Sequence, residues 1–209
     1  MTDALDDFGA TDNPYTLRDR VGSFGTFRTE DSLPLNYIQI TLSPDELDQL
    51  TLARDLKSSK ERNFDMLLQR DIDEEKVEKA IEYLASENNK PDRTVFFPPL
   101  LAAILPFSNN EMEDFYQDED GKATDKRVLK VWKNQFSVEY IRGAGAHSYL
   151  VPVRDMSTNA VQQIEVRRSS AQFNARLVKN DHLGIGVKLV VIDGQHRLET
   201  LRRIFEQSQ

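Results

Sequence analysis

The feature that most constrains this chain lies near its end. Val187-Lys188-Leu189-Val190-Val191-Ile192 is a β-branched, apolar run that passes directly into Asp193-Gly194-Gln195-His196-Arg197. Leu198, Leu201, Ile204 and Phe205 follow at helical spacing. A buried strand, a tight polar turn holding a glycine, and an amphipathic helix predict an α/β arrangement. The turn also has a chemical meaning. The first N–H groups of a helix lack internal partners, and the helix dipole adds partial positive charge there. A small residue such as Gly194 lets an anion come close to that backbone.

The remaining elements are consistent with a mixed sheet and flanking helices. Residues 1–34 are rich in Asp, Thr, Gly and Pro without a period, and read as a loose acidic arm pinned by Phe24 and Phe27. A domain is expected from 35 to 209. Tyr37–Leu42 alternates, with Ile38, Ile40 and Leu42 on one face of a strand. Ser43, Pro44 and Glu46 spell a capped helix start, with Leu47, Leu50 and Leu56 as its apolar stripe. Asp71 or Asp73 opens a second helix carrying Val77, Ala80, Ile81 and Leu84. Thr94–Leu105 reads as a buried strand with Pro98-Pro99 at its entrance or at a bulge. Val128–Trp132 and Gln135–Ile141 form a hairpin, and Ser148–Val153 another strand. Val161–Lys179 divides into a strand and, from Ser169, a helix.

Each residue of the turn suits phosphate chemistry. Arg197 grips phosphate through a planar fork. His196 donates to a phosphoryl oxygen or moves a proton. Gln195 positions a water, and Asp193 holds a divalent metal or orients that water. Plainer readings stand beside these. Asp193 serves as an N-cap, His196 bonds a carbonyl or carboxylate, Arg197 pairs with Glu199 or another acid, and Gly194 serves only the turn.

Val191-Ile192-Asp193-Gly194-Gln195-His196-Arg197-Leu198-Glu199 resembles the signature of the DGQHR-domain family, which includes the DndB-like proteins of bacterial DNA phosphorothioation. Lys76–Leu84, Phe96–Ile104 and Tyr37–Leu42 extend the resemblance over about residues 35–205. It implies a ParB/sulfiredoxin-like α/β fold whose strand–turn–helix binds a nucleoside triphosphate. ATP is the leading candidate, with Mg²⁺ countering its charge and slow hydrolysis as the reaction. Carried over by position, Gly194, Gln195, His196 and Arg197 form the phosphate loop, with Asp193 as metal or water ligand. Asp193, Gln195 and His196 are the catalytic candidates. The resemblance also implies service in bacterial DNA modification or restriction defence, alongside the proteins of such a system. It implies further chain beyond residue 209. Sulfiredoxins carry a catalytic cysteine where Gln195 stands. This chain has no cysteine, so sulfinic-acid repair is excluded.

Charge sharpens the alternatives. The 209 residues carry a net charge of −8, yet residues 141–209 hold 10 Lys/Arg against 6 Asp/Glu while residues 1–140 hold 17 against 29. The last third therefore faces an anion more readily than the rest. Arg167, Arg168, Arg176 and Lys179 form a small basic cluster for a DNA backbone or phosphate. A DNA-binding transcriptional regulator without enzymatic activity is the second reading, against which the acidic balance counts. An assembly subunit recruiting partners through the acidic stretch 111–120 is the third, and a homo-oligomer is compatible with each. No apolar stretch reaches the roughly 20 residues of a membrane span. The cysteine-free composition fits a cytoplasmic setting. Arg142–His147 lacks the third glycine of a dinucleotide fingerprint. Asp118–Gly121 fails as a calcium loop because Arg127 occupies the place of its bidentate glutamate.

Overall fold

The structure is a computed structural model that describes residues 16–28, 35–56, 72–87, 97–108, 111–113, 118–119, 127–132, 135–141, 146–154, 158–178 and 184–207. The chain divides into two compact units. Mixed α/β structure dominated by sheet is what these residues build.

The first unit comprises Met1–Thr41 and Tyr116–Arg176. Its strands are β1 (Thr16–Arg28), β2 (Leu35–Ile40), β6 (Asp118–Glu119), β7 (Arg127–Trp132), β8 (Phe136–Ile141), β9 (Ala146–Arg154) and β10 (Val161–Arg176). The sheet order is β2-β1-β10-β8-β7-β6, and β9 pairs with the first half of β10. Every pairing in this sheet is antiparallel.

Two expectations change here. Part of the segment read as a loose arm is β1, whose Leu17 and Phe24 are buried. Gly22 and Gly25 and the polar residues before them hide its alternation. Gly25 is required by packing, because the Tyr37 ring lies where its Cβ would stand. The predicted helix from Ser169 is instead the second half of β10. Ala171, Phe173 and Ala175 are buried at every second position, between Ser170, Gln172 and a buried Asn174 that accepts the Asp19 N–H at 2.8 Å. That period of two satisfies β1 on one side and β8 on the other. The buried face also carries Phe136 and Val138, and a Phe24–Tyr140 stack at 4.7 Å.

The second unit comprises Leu42–Phe115 and Leu177–Gln209. Its sheet runs β3 (Leu50–Leu52), β11 (Ile185–Asp193), β4 (Leu101–Ser108), β5 (Glu111–Met112). β3 is parallel to β11, whereas β4 is antiparallel to it. Val187, Leu189, Val190 and Val191 are all at most 5% exposed, so β11 is covered on both faces. Burial of each such side chain stabilises by roughly 1.5–3 kcal/mol.

Two helices, α1 (Glu74–Glu87) and α2 (Gln195–Gln207), complete this unit. Val77 and Leu198 are fully buried apolar side chains. The helix expected after Ser43 is only a 3-10 turn, Pro44–Gln49. Ser43 N–H donates to Glu46 Oε2 at 2.8 Å, as the capping pattern predicts, and the Ser43 hydroxyl donates to the same oxygen at 2.7 Å. Leu50 does not extend an apolar helical stripe, because the chain straightens there to pair with β11. Residues 94–96 of the predicted Phe-Pro strand lie outside the described residues. β4 begins two residues after Pro98-Pro99.

Candidate functional site

The turn forms as its sequence suggests. Asp193 ends β11, Gly194 takes φ +90°, and α2 starts at Gln195. The first bond into the helix runs from Leu198 N–H to the Gly194 carbonyl, at 2.8 Å. The N–H groups of Gln195, His196 and Arg197 therefore precede the helical ladder, and Gly194 offers no side chain to cap them.

The side chains of the motif reach into the unit itself. Arg197 Nη2 donates to Asp193 Oδ2 at 2.9 Å and to the Pro99 carbonyl at 3.2 Å. Asp193 remains 72% exposed at its side chain and Arg197 27%. Arg197 Nε is buried without an acceptor among the described residues. A Cβ on Gly194 would stand 2.7 Å from Arg197 Nη2 and 2.8 Å from Leu100 Cδ2. The close approach that glycine permits is thus made by the motif's own guanidinium and by Leu100.

His196 fastens α2 to the start of α1. Its Nε2 accepts the Asp73 N–H at 2.9 Å. The partner is neither the carbonyl nor the carboxylate that the sequence suggested. Asp73 in turn closes the first turn of α1, accepting Lys76 N–H at 3.3 Å and facing Lys76 Nζ at 3.1 Å. The Lys76 side chain and N–H together hold the Asp73 carboxyl below its ordinary value of 3.8. Gln195 is 9% exposed, and its amide reaches the Val191 carbonyl at 3.4 Å. Thr200, fully buried, donates to the His196 carbonyl at 2.8 Å.

Sequence reasoning did not single out Arg203 or Arg202. Arg203 faces Glu74 at 2.7 Å, Glu199 at 3.1 Å and Glu78 at 3.2 Å, and the first two of these carboxylates hold its guanidinium further toward the charged form. Arg202 Nη2 donates to the carbonyls of Leu47 and Leu50, at 3.2 and 2.7 Å. The signal was available in part: Glu199–Arg203 is an i,i+4 pair.

Of the basic residues singled out in the sequence, Arg167, Arg168 and Arg176 all lie on β10, with Arg176 eight residues beyond Arg168. Arg167 and Arg168 are neighbours on β10, so they point to opposite faces. Arg167 pairs with Glu165 at 3.0 Å. Arg168 is exposed and has no carboxylate partner among the described residues. The Arg176 backbone N–H bonds the Gln135 carbonyl at 2.9 Å, while Lys179 lies outside the described residues. These arginines belong to the first unit and the Asp193–Arg197 turn to the second. Among the described residues no group of three or more His, Asp or Glu could hold a metal ion. No helix among them is long and apolar enough to cross a membrane.

Comparisons with family profiles, with curated proteins and with solved structures each returned no match to this chain.

Proposed function

We propose that this chain binds the phosphates of a nucleoside triphosphate at the Asp193–Arg197 turn, as a DGQHR-type protein of ParB/sulfiredoxin-like fold acting in bacterial DNA modification or restriction defence. The observation that carries the reading is the uncapped start of a 13-residue helix immediately after a strand, with a guanidinium already resting over it. The turn amides and Arg197 would hold phosphate oxygens, and Arg197 would exchange its exposed Asp193 partner for them.

Hydrolysis would draw on Asp193, Gln195 and His196. Asp193 is paired to Arg197, the His196 Nε2 lone pair is taken by Asp73 N–H, and Gln195 is turned toward Val191. Each of the three would have to leave that partner to act on a water. Asp193 stands as a single carboxylate, so the described residues do not build a protein-held Mg²⁺ centre, and no step is assigned to one.

The second reading is that the motif is a fastener. The bonds from Arg197 to Pro99 and from His196 to Asp73 favour it, because they tie the turn to two segments distant in sequence. Calorimetry with ATP, GTP and CTP on wild type and Arg197→Ala separates the two, with thermal melting run in parallel. Saturable binding that weakens tenfold or more in Arg197→Ala, about 1.4 kcal/mol, supports the phosphate site. No binding by wild type, with a lowered melting temperature for Arg197→Ala, supports the fastener and overturns the phosphate site.

A further inference from the structure

The antiparallel register places three rows of side chains on one face of β2, β1, β10 and β9. Residues directly opposite one another share a face, and the pairing runs without a register shift over residues 23–27, 35–39, 147–149 and 166–170. The middle row is Tyr37, Gly25, Arg168 and His147. The row on one side of it is Leu35, Phe27, Val166 and Tyr149. The row on the other side is Gln39, Ser23 and Ser170. None of these eleven positions is acidic. Glu165 is on the opposite face, where it accepts from Ser148 at 2.9 Å and from Arg167.

This face is open and carries flat rings. Tyr149 is 48% exposed and Phe27 38% exposed. Phe27 stacks on Tyr37 at 4.7 Å, which fixes both rings across Gly25. Burial is the leading cause that keeps the Tyr37 hydroxyl protonated beyond its ordinary range, with Tyr149 adding to it and Arg168 opposing it. A groove of about 380 Å³ adjoins the middle row, lined by Ser23, Gln39, Thr41, His147, Arg168 and Ser170. Ser23 is 6% exposed, and its hydroxyl has no partner among the described residues.

We propose that this sheet face binds single-stranded nucleic acid, with a base stacked on the Tyr149 and Phe27 rings and a phosphodiester in the groove at Arg168 and His147. Successive rows on one face are about 7 Å apart, within the span from a base to its own phosphate. Exposed rings on a sheet next to a guanidinium supply both elements of such recognition, a stacking platform and a backbone contact. An acidic peptide would satisfy Arg168 but leave the rings without flat partners. A duplex would hide its base faces from them. The reading depends on different residues from the Asp193–Arg197 turn, so either stands if the other fails.

The test uses the full chain and fluorescence anisotropy of labelled ten-residue oligothymidylate at low salt. A matched duplex and a polyglutamate peptide serve as competitors. Binding by wild type should weaken about tenfold or more in Arg168→Glu and about fivefold or more in Tyr149→Ala. Arg167→Glu makes the same charge change on the opposite face and should stay within about twofold. Three results overturn the proposal: no saturable binding by wild type, equal losses in Arg167→Glu and Arg168→Glu, or competition by duplex or polyglutamate as strong as by unlabelled single strand.

Discussion

Two arginines illustrate how differently the same side chain is used in this molecule. Arg197 belongs to the sequence motif that stands out, and it is committed within its own unit, to Asp193 and to the Pro99 carbonyl. Arg168 sits in a segment with no motif, and it faces outward beside exposed rings. A motif marks where a chain needs particular residues, whether for a ligand or for its own geometry. Availability of a charged group is a separate property, set by which face of which element carries it.

Gly194 is where this contrast meets its most severe test. Its φ of +90° is strained for any residue with a Cβ, and that atom would meet Arg197 and Leu100. Gly194→Ala should cost about 2–3 kcal/mol, measured by urea denaturation. A cost below about 0.5 kcal/mol would mean that the turn relaxes freely and that the guanidinium's position is not fixed by packing. Arg197→Ala should cost about 1–2 kcal/mol by the same measurement, since it removes the Pro99 bond and a partly exposed ion pair. Arg168→Ala should change stability by less than about 0.5 kcal/mol. If the two arginines cost the same, the contrast between committed and outward-facing guanidinium is wrong.

A smaller effect concerns acid. Lys76 holds the Asp73 carboxyl below its ordinary range in the folded chain. Its contribution is therefore complete above that range and is lost as pH falls through and below about 4. Asp73→Asn should flatten the acid side of the stability profile, followed by melting temperature from about pH 6 to pH 2. An unchanged slope would show that the cap does not contribute. Arg167→Ala should be the mildest change, within about 0.5 kcal/mol, because its pairing with Glu165 is at the surface.

Much of the second unit was legible from sequence. The run Val187–Ile192 is covered on both faces and reads as a strand from β-branching alone, while Gly194 and the Leu198–Phe205 periodicity set the turn and the helix after it. Ser43 and Glu46 announced the bond from the Ser43 N–H to the Glu46 carboxylate. The first unit was harder. In β1 two glycines sit at places where apolar side chains would have shown the alternation, since the Tyr37 ring and the Gln39 carbonyl occupy the space. In β10 the small residues Ser169, Ser170, Ala171 and Ala175 suit a helix as readily as a strand, and pairing with β1 and β8 decides between them. The partners of His196 and Arg197 were not readable, because Asp73 and Pro99 are 123 and 98 residues away in sequence.

The most direct test of the phosphate site titrates Mg²⁺-ATP into wild type, Arg197→Ala and Arg168→Glu by calorimetry. Wild type should bind saturably, Arg197→Ala should lose affinity tenfold or more, and Arg168→Glu should stay within about twofold of wild type. Absence of binding by the folded wild-type chain, or a loss in Arg168→Glu with none in Arg197→Ala, would contradict it.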